Sequence, residues 1–314
     1  METILVTGGA GFIGGHLAER LLAADKHVLI VDDFNDFYDP KIKRQTAAML
    51  AAKGATIVEA DIADTAAMET LFAKHQIDVV IHLAARAGVR PSITDPLLYA
   101  QVNIQGTLNL LEQCRKKGIV RFIFGSSSSV YGTNSKVPFS EDDPVLHPIS
   151  PYATSKLAAE HYCKVFHELF GMQITCLRFF TVYGPRGRPD MAVYKFTEAI
   201  ANGKPIEVYG DGGMKRDFTY VADIADGIIA ALEKRFLFEI INLGDANPIP
   251  VKQLISLIEH AVGKKAVIKH LPKQPGDVPI TYADISKAAQ LLGYSPKVKI
   301  EEGIKQFVEW FRKQ

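Results

Sequence analysis

Short apolar runs alternate with longer stretches of helical periodicity through the first 180 or so residues. The runs Ile4–Val6, Val28–Val31, Thr56–Val58, Val79–Ile81, Arg121–Phe124 and Ile174–Leu177 read as strands. They are nearly continuous in Val, Ile, Leu and Phe instead of alternating with polar residues. A strand covered on both faces needs that composition, so the runs predict a parallel sheet with helices on either side. Helical patterns fall between them at Gly14–Ala24 and Asp64–Lys74, with longer ones from about Pro96 to Lys117 and from Pro151 to Phe170. Strand and helix in strict alternation specify an α/β fold with a doubly wound parallel sheet.

Past about residue 180 the pattern loosens. Gly184-Pro185, Arg188-Pro189, Gly210-Asp211-Gly212-Gly213, Asn247-Pro248 and Gly276-Asp277 punctuate shorter elements. A stretch of this kind suits a pocket better than a large sheet. Val221–Lys234 regains a good amphipathic helix and Phe238–Asn242 reads as a strand, so the chain is expected to return to its first domain. The expected division is 1–180 with a return at about 218–245, and 181–314 as mainly a smaller C-terminal α/β domain for substrate.

Composition narrows the field of functions. The chain has 314 residues, 47% hydrophobic and 23% charged, with a formal net charge of +1. That balance provides no basic footprint for nucleic acid and no polybasic stretch for a membrane surface. The opening Met1–Thr7 lacks the charged-then-apolar plan of a signal peptide, and no apolar run reaches the roughly 18 residues that span a bilayer. Cys114, Cys163 and Cys176 are scattered without metal-type spacing. They read as packing residues of a reducing compartment, with the cytoplasm as the default and no metal expected.

The candidate chemistry starts at Thr7-Gly8-Gly9-Ala10-Gly11-Phe12-Ile13-Gly14, which follows the first strand and opens the first helix. Glycines there permit a tight turn and let backbone approach a pyrophosphate resting on the helix N-terminus. The second strand ends at Asp32-Asp33, about 20 residues on, where a carboxylate accepts from adenosine ribose hydroxyls. Asp32 is favoured over Asp33, which suits a turn. A carboxylate repels a 2′-phosphate, so the cofactor reads as NAD. Asp61 and Ile62 follow the third strand, where they can cover the adenine. Leu83, Ala84 and Ala85 follow the fourth with small residues where a cofactor passes close by. His82 ends an apolar strand and reads as a packed histidine. Asn103 lies near the presumed cleft, at the cofactor or supporting a loop.

Downstream of the run Ser126–Ser129 comes Tyr152-Ala153-Thr154-Ser155-Lys156. Tyrosine and lysine four apart share one helix face, so the ammonium can sit beside the phenol. A free phenol has a pKa of about 10, and a neighbouring cation favours the ionised form that takes a proton from a hydroxyl.

With these three features the chain resembles an extended short-chain dehydrogenase/reductase, a Rossmann fold, over nearly its whole length. Within that superfamily it is most similar to the NAD-dependent nucleotide-sugar 4-epimerases that act on UDP-glucuronate. The segments carrying the closer match are Ala85–Arg90, Phe180–Met191 and Gln274–Val278. The resemblance implies a triad of Ser127, Tyr152 and Lys156, with Ser126 and Ser128 adjacent. It implies that Asn35 joins the glycine turn, Tyr152 and Lys156 around NAD. It also implies a UDP-sugar site at Arg90, Ser127, Ser128, Ser129, Tyr152, Thr181, Arg188, Arg216 and Asp277. Gln274 stands where many relatives carry an arginine. The activity implied is interconversion of UDP-glucuronate and UDP-galacturonate by a homodimer. A neutral-sugar 4-epimerase, a UDP-glucuronate decarboxylase and a non-catalytic NAD-binding regulator are the alternatives. A 4,6-dehydratase would place Asp-Glu where this chain has Ser128-Ser129.

Overall fold

A computed structural model describes residues 2–272 and 278–314. The first half runs through β1 (Thr3–Thr7), α1 (Phe12–Ala23), β2 (His27–Asp32), α2 (Pro40–Ala52), β3 (Thr56–Glu59), α3 (Thr65–Lys74), β4 (Val79–His82), α4 (Val89–Thr94), α5 (Pro96–Tyr99), α6 (Gly106–Lys117), β5 (Arg121–Ser127), α7 (Pro151–Phe170) and β6 (Gln173–Phe179). The rest follows in shorter pieces. These are β7 (Thr181–Tyr183), α8 (Ala192–Ala201), β8 (Pro205–Tyr209), β9 (Lys215–Tyr220), α9 (Val221–Glu233), β10 (Phe238–Leu243), β11 (Pro248–Pro250), α10 (Val251–Val262), β12 (Val267–Leu271), α11 (Ser286–Leu292) and α12 (Ile300–Phe311).

Seven strands form one sheet in the order β10-β6-β5-β4-β1-β2-β3. Every pairing in it is parallel. The pleat explains why the strands read as unbroken apolar runs. Ile4 and Val6 face one core with Val28, Ile30, Val79 and Ile81, together with Leu17 of α1 and Ile224 and Ile228 of α9. Leu5, Leu29, Val31 and Val80 face the other core with Leu71 of α3, Leu110 of α6 and Phe166 of α7. Both faces are therefore dry, and alternation would have placed polar atoms in one of them. β10 adds to the edge beside β6, as the late apolar run at Phe238–Asn242 implies. Beyond the sheet, α8, α10 and α12 pack on a third core with β8 and β9. Among the described residues, no helix is long and apolar enough to cross a membrane.

The expected helix from Pro96 to Lys117 is continuous, but a π-helical turn at Ala100–Gln105 lies within it, between α5 and α6. Gly106 ends that turn against Ile62, whose Cδ1 would lie 2.6 Å from any Cβ at position 106. The wide turn directs Asn103 inward, where it becomes buried.

Candidate active site

Where the sheet strands end at their carboxyl side, the chain encloses a cavity of about 420 Å³. Doubly wound sheets bind ligands at that edge. One end of the cavity is backbone. Gly8 adopts φ +67°, and a Cβ there would come within 2.8 Å of the Ala84 nitrogen. A Cβ on Gly14 would lie 2.2 Å from the Gly8 carbonyl oxygen. Neither obstacle can swing aside, so these two positions need glycine. Gly11, Phe12 and Ile13 then begin α1 without any side-chain cap, leaving its first N–H groups available to an anion.

Asp32 closes this end. It accepts from the Ala10 N–H at 3.2 Å and the Phe34 N–H at 3.1 Å. Burial pushes its carboxyl up, and Lys43, whose Nζ lies 3.8 Å away, pulls it back. Asn35, Asp61, Ile62, Leu83, Ala84 and Ala85 line the same end. An open helix N-terminus, glycines at backbone contact and a carboxylate at the end of β2 fit a dinucleotide.

Two polar residues nearby are committed elsewhere. Asn103, expected at the cofactor or under a loop, is absent from the cavity lining. Its amide accepts from the Arg86 N–H at 2.8 Å and donates to the Arg86 carbonyl and the Ser155 hydroxyl, both at 2.9 Å. The π-helical turn thus spends Asn103 on the loop after β4. His82 is fully enclosed, bonded to Thr7 at 2.7 Å and Thr107 at 3.0 Å. Burial holds its pKa well below the ordinary value, which makes it a packed, neutral ring.

The reactive end is set by α7 and β5. The Ser150 hydroxyl accepts from the Ala153 N–H at 3.1 Å and Pro151 holds the first helical position. Such a cap is worth about 1 kcal/mol and fixes where the helix begins. Tyr152 therefore lies in the first turn, with Lys156 and Glu160 below it on the same face at successive turns. The Lys156 ammonium donates to the Gly125 carbonyl at 2.7 Å. Burial lowers its pKa to about 8, against which Glu160 acts to raise it. The pleat of β5 sorts the serines. Ser126 gives its hydroxyl to Glu160, while Ser127 engages Ser129 at 3.1 Å beside Tyr152.

Spacing alone assigns the lowering of the Tyr152 pKa to Lys156. In the structure the lowering comes from a hydrogen bond with Ser127 and from the Arg188 charge, and burial outweighs both, so the phenol is raised. Desolvation disfavours the phenolate here, and Lys156 is not among the charges that shift this group.

Thr181 on β7 and Arg188 on the loop after it line the cavity next to Tyr152. The Arg188 guanidinium forks onto Asp190 through Nε at 2.9 Å and Nη2 at 2.5 Å, and lies 5.2 Å from the Phe37 ring centroid. Its loop is anchored to α1: Arg186 donates to Glu19 at 2.8 Å, and His16 donates to the Pro185 carbonyl at 2.8 Å. Arg90 and Arg216, expected on the substrate, lie outside the cavity lining. Arg90 reaches over Tyr209, 4.0 Å from the ring centroid, and Arg216 donates to the Lys215 carbonyl at 2.8 Å. Gln274 and Asp277 fall outside the described residues.

Four participants escape the motif reading. Lys43 and Tyr38 line the cavity from the loop and helix after β2. Glu160 and Arg178 form a buried fork beneath the triad, at 3.0 and 2.7 Å. Extending the Tyr152–Lys156 spacing by one more turn would have found Glu160.

A cradle for a hydride acceptor that ends in a tyrosine, its serine and a buried lysine makes this an enzyme of redox chemistry at a hydroxyl-bearing carbon. Known proteins narrow the class. The model of the NAD dependent epimerase/dehydratase family matches residues 4–244, and the chain belongs to that family. A UDP-glucuronate 4-epimerase of Thermodesulfobacterium geofontis is 46% identical over 312 residues, covering 99% of this chain and 96% of that protein. The crystal structure of a Bacillus cereus UDP-glucuronic acid 4-epimerase, in complex with UDP-glucuronic acid and NAD, superposes with a TM-score of 0.94 at 40% identity and 99% coverage of both chains. A UDP-glucose 4-epimerase of Thermotoga maritima, with UDP-glucose, gives 0.89 at 38% identity, again with 99% of both chains covered.

Proposed function

We propose that this enzyme is a nucleotide-sugar 4-epimerase that interconverts UDP-glucuronate and UDP-galacturonate. The observation that carries the uronate is Arg188, a guanidinium lining the cavity beside Tyr152. Gly8, Gly11, Phe12, Ile13, Gly14, Asp32 and Lys156 would hold NAD. When bound, NAD would supply reversible hydride exchange with C4 of the sugar, by way of a 4-keto sugar. Tyr152 takes the C4 hydroxyl proton and later gives it back. Ser127 hydrogen-bonds the reacting oxygen and holds its position. Lys156, charged below pH about 8, would hold the nicotinamide ribose.

A uronate makes an extra demand on the site. The 4-keto sugar is a β-keto acid, and it loses carbon dioxide when its C5–C6 bond aligns with the carbonyl π system. Arg188, Thr181 and the hydroxyls of Ser128 and Ser129 fix the carboxylate away from that alignment. A neutral-sugar 4-epimerase is the second reading, favoured by Asp190, which cancels the Arg188 charge.

Arg188→Ala separates the two. Turnover of UDP-glucuronate should fall by about tenfold to a hundredfold in kcat/KM, the range for a lost charge-assisted fork, while UDP-glucose turnover changes little. Equal losses on both sugars would remove the carboxylate assignment. Product identification with a panel of UDP-sugars, without added NAD, distinguishes epimerisation from decarboxylation and inactivity.

Residues 1–180 with the return at 218–245 serve as the cofactor-binding part and 181–314 as mainly the sugar-nucleotide part, a reading supported by β10 completing the sheet. The enzyme is a homodimer joined through α5–α6 and α7. Leu97 is 81% exposed, and Tyr162, Val165 and Leu169 share an exposed face of α7 at i, i+3 and i+7. Light scattering at micromolar concentration should give twice the 34.5 kDa chain mass; a monomer would refute it.

A further inference from the structure

The loop that carries Arg188 is built as a tight turn. The Met191 N–H donates to the Arg188 carbonyl at 3.1 Å, with Pro189 in the position where its fixed φ suits a turn. Met191 then leads into α8. Side chains 188 and 190 emerge on the same side of this turn and close on one another as a two-point fork. A guanidinium has five N–H donors arranged on two usable edges. Asp190 takes the edge formed by Nε and Nη2. The edge that includes Nη1 has no acceptor among the described residues. The Phe37 ring lies over the guanidinium, its centroid 5.2 Å from the central carbon. Arg188 lines the cavity and Asp190 does not.

From this geometry we infer that Asp190 is a positioning residue for substrate specificity: it holds Arg188 side-on so that the remaining edge receives a carboxylate end-on. The inference rests on the uronate reading and adds to it. A lone arginine on a loop samples many rotamers, and ordering it costs free energy at each binding event. The Asp190 fork pre-orders that side chain before substrate arrives. It also removes the net charge, so that recognition depends on the direction of the donors more than on attraction. The alternative role for Asp190 is that of a competitor, a carboxylate occupying the fork that substrate needs. The two roles predict opposite signs.

The test uses NAD-loaded enzyme carrying Asp190→Ala or Asp190→Asn, assayed on UDP-glucuronate and UDP-glucose, with Arg188→Ala and the Asp190→Ala/Arg188→Ala double variant. Asp190→Ala should raise KM for UDP-glucuronate about tenfold with kcat and the UDP-glucose KM nearly unchanged, and Asp190→Asn, which keeps one acceptor oxygen, should lie between. In the Arg188→Ala background the Asp190 change should add nothing, because it acts through the guanidinium. A uronate KM that stays constant or falls overturns the inference, as does an equal loss on both sugars or an additive double variant. If the unaltered enzyme shows no preference for UDP-glucuronate and Arg188→Ala is silent on it, the uronate reading has failed and takes the inference with it.

Discussion

Tyr152→Phe is expected to reduce kcat on UDP-glucuronate by ~10²–10⁴-fold, the span for loss of a positioned general acid–base group. The change removes one oxygen and nothing else. The ring is half-buried in the cavity wall and meets Tyr99 edge-on at 6.2 Å, a contact that phenylalanine retains. Substrate KM and the amount of NAD that purifies with the protein should therefore stay close to the unaltered values. Activity by product analysis, with cofactor content measured on the same sample, checks both halves. Unchanged activity would end the proton-transfer role, and lost cofactor would mean that the ring itself shapes the cradle.

Arg178→Leu should be the most destabilising change near the site. Arg178 and Glu160 are 2% and 3% exposed and joined by a two-point fork, with Tyr131 lying 4.8 Å from the guanidinium. Removing one partner of a buried pair costs about 3–5 kcal/mol, because the other charge is left in a dry interior. Here the stranded group is Glu160, which also accepts from Ser126 and raises the Lys156 pKa. Once unpaired, Glu160 is pushed towards its neutral form and that support for Lys156 is withdrawn. Urea denaturation should show the loss, and Arg178→Leu/Glu160→Leu should recover much of it, since two apolar side chains leave no unpaired charge. If the single variant is as stable as the unaltered protein, the pair carries no structural role.

The parts of the molecule that could be read from the chain are those governed by short-range rules. A parallel strand buried on both faces leaves an unbroken apolar run, and β1, β2, β4, β5 and β6 are found where the runs stand. Tyr152 and Lys156 were legible because helical geometry alone puts them together. α2 was not, because only Lys43, Thr46, Ala47 and Leu50 of its 13 residues are buried and its apolar stripe is faint. The π-helical turn between α5 and α6 was hidden as well. It depends on Ile62 meeting Gly106 and on Asn103 reaching Arg86, contacts made across more than ten positions of sequence. The state of Tyr152 needed three dimensions for a similar reason: spacing reveals a nearby lysine, but not the Gly125 carbonyl that engages it or the burial that opposes ionisation.

The anchoring of the Arg188 loop on α1 has a consequence for how long the cofactor stays. Arg186 and His16 fasten that loop to the helix whose uncapped first turn lines the cofactor end of the cavity. On the reading proposed above, the residue that meets the sugar is thus tied to the helix that would hold the cofactor, and loosening one would disturb the other. In an epimerase that ends each cycle with its cofactor as it began, such a tie favours a cofactor kept as a fixed part of the protein over one exchanged at every turnover.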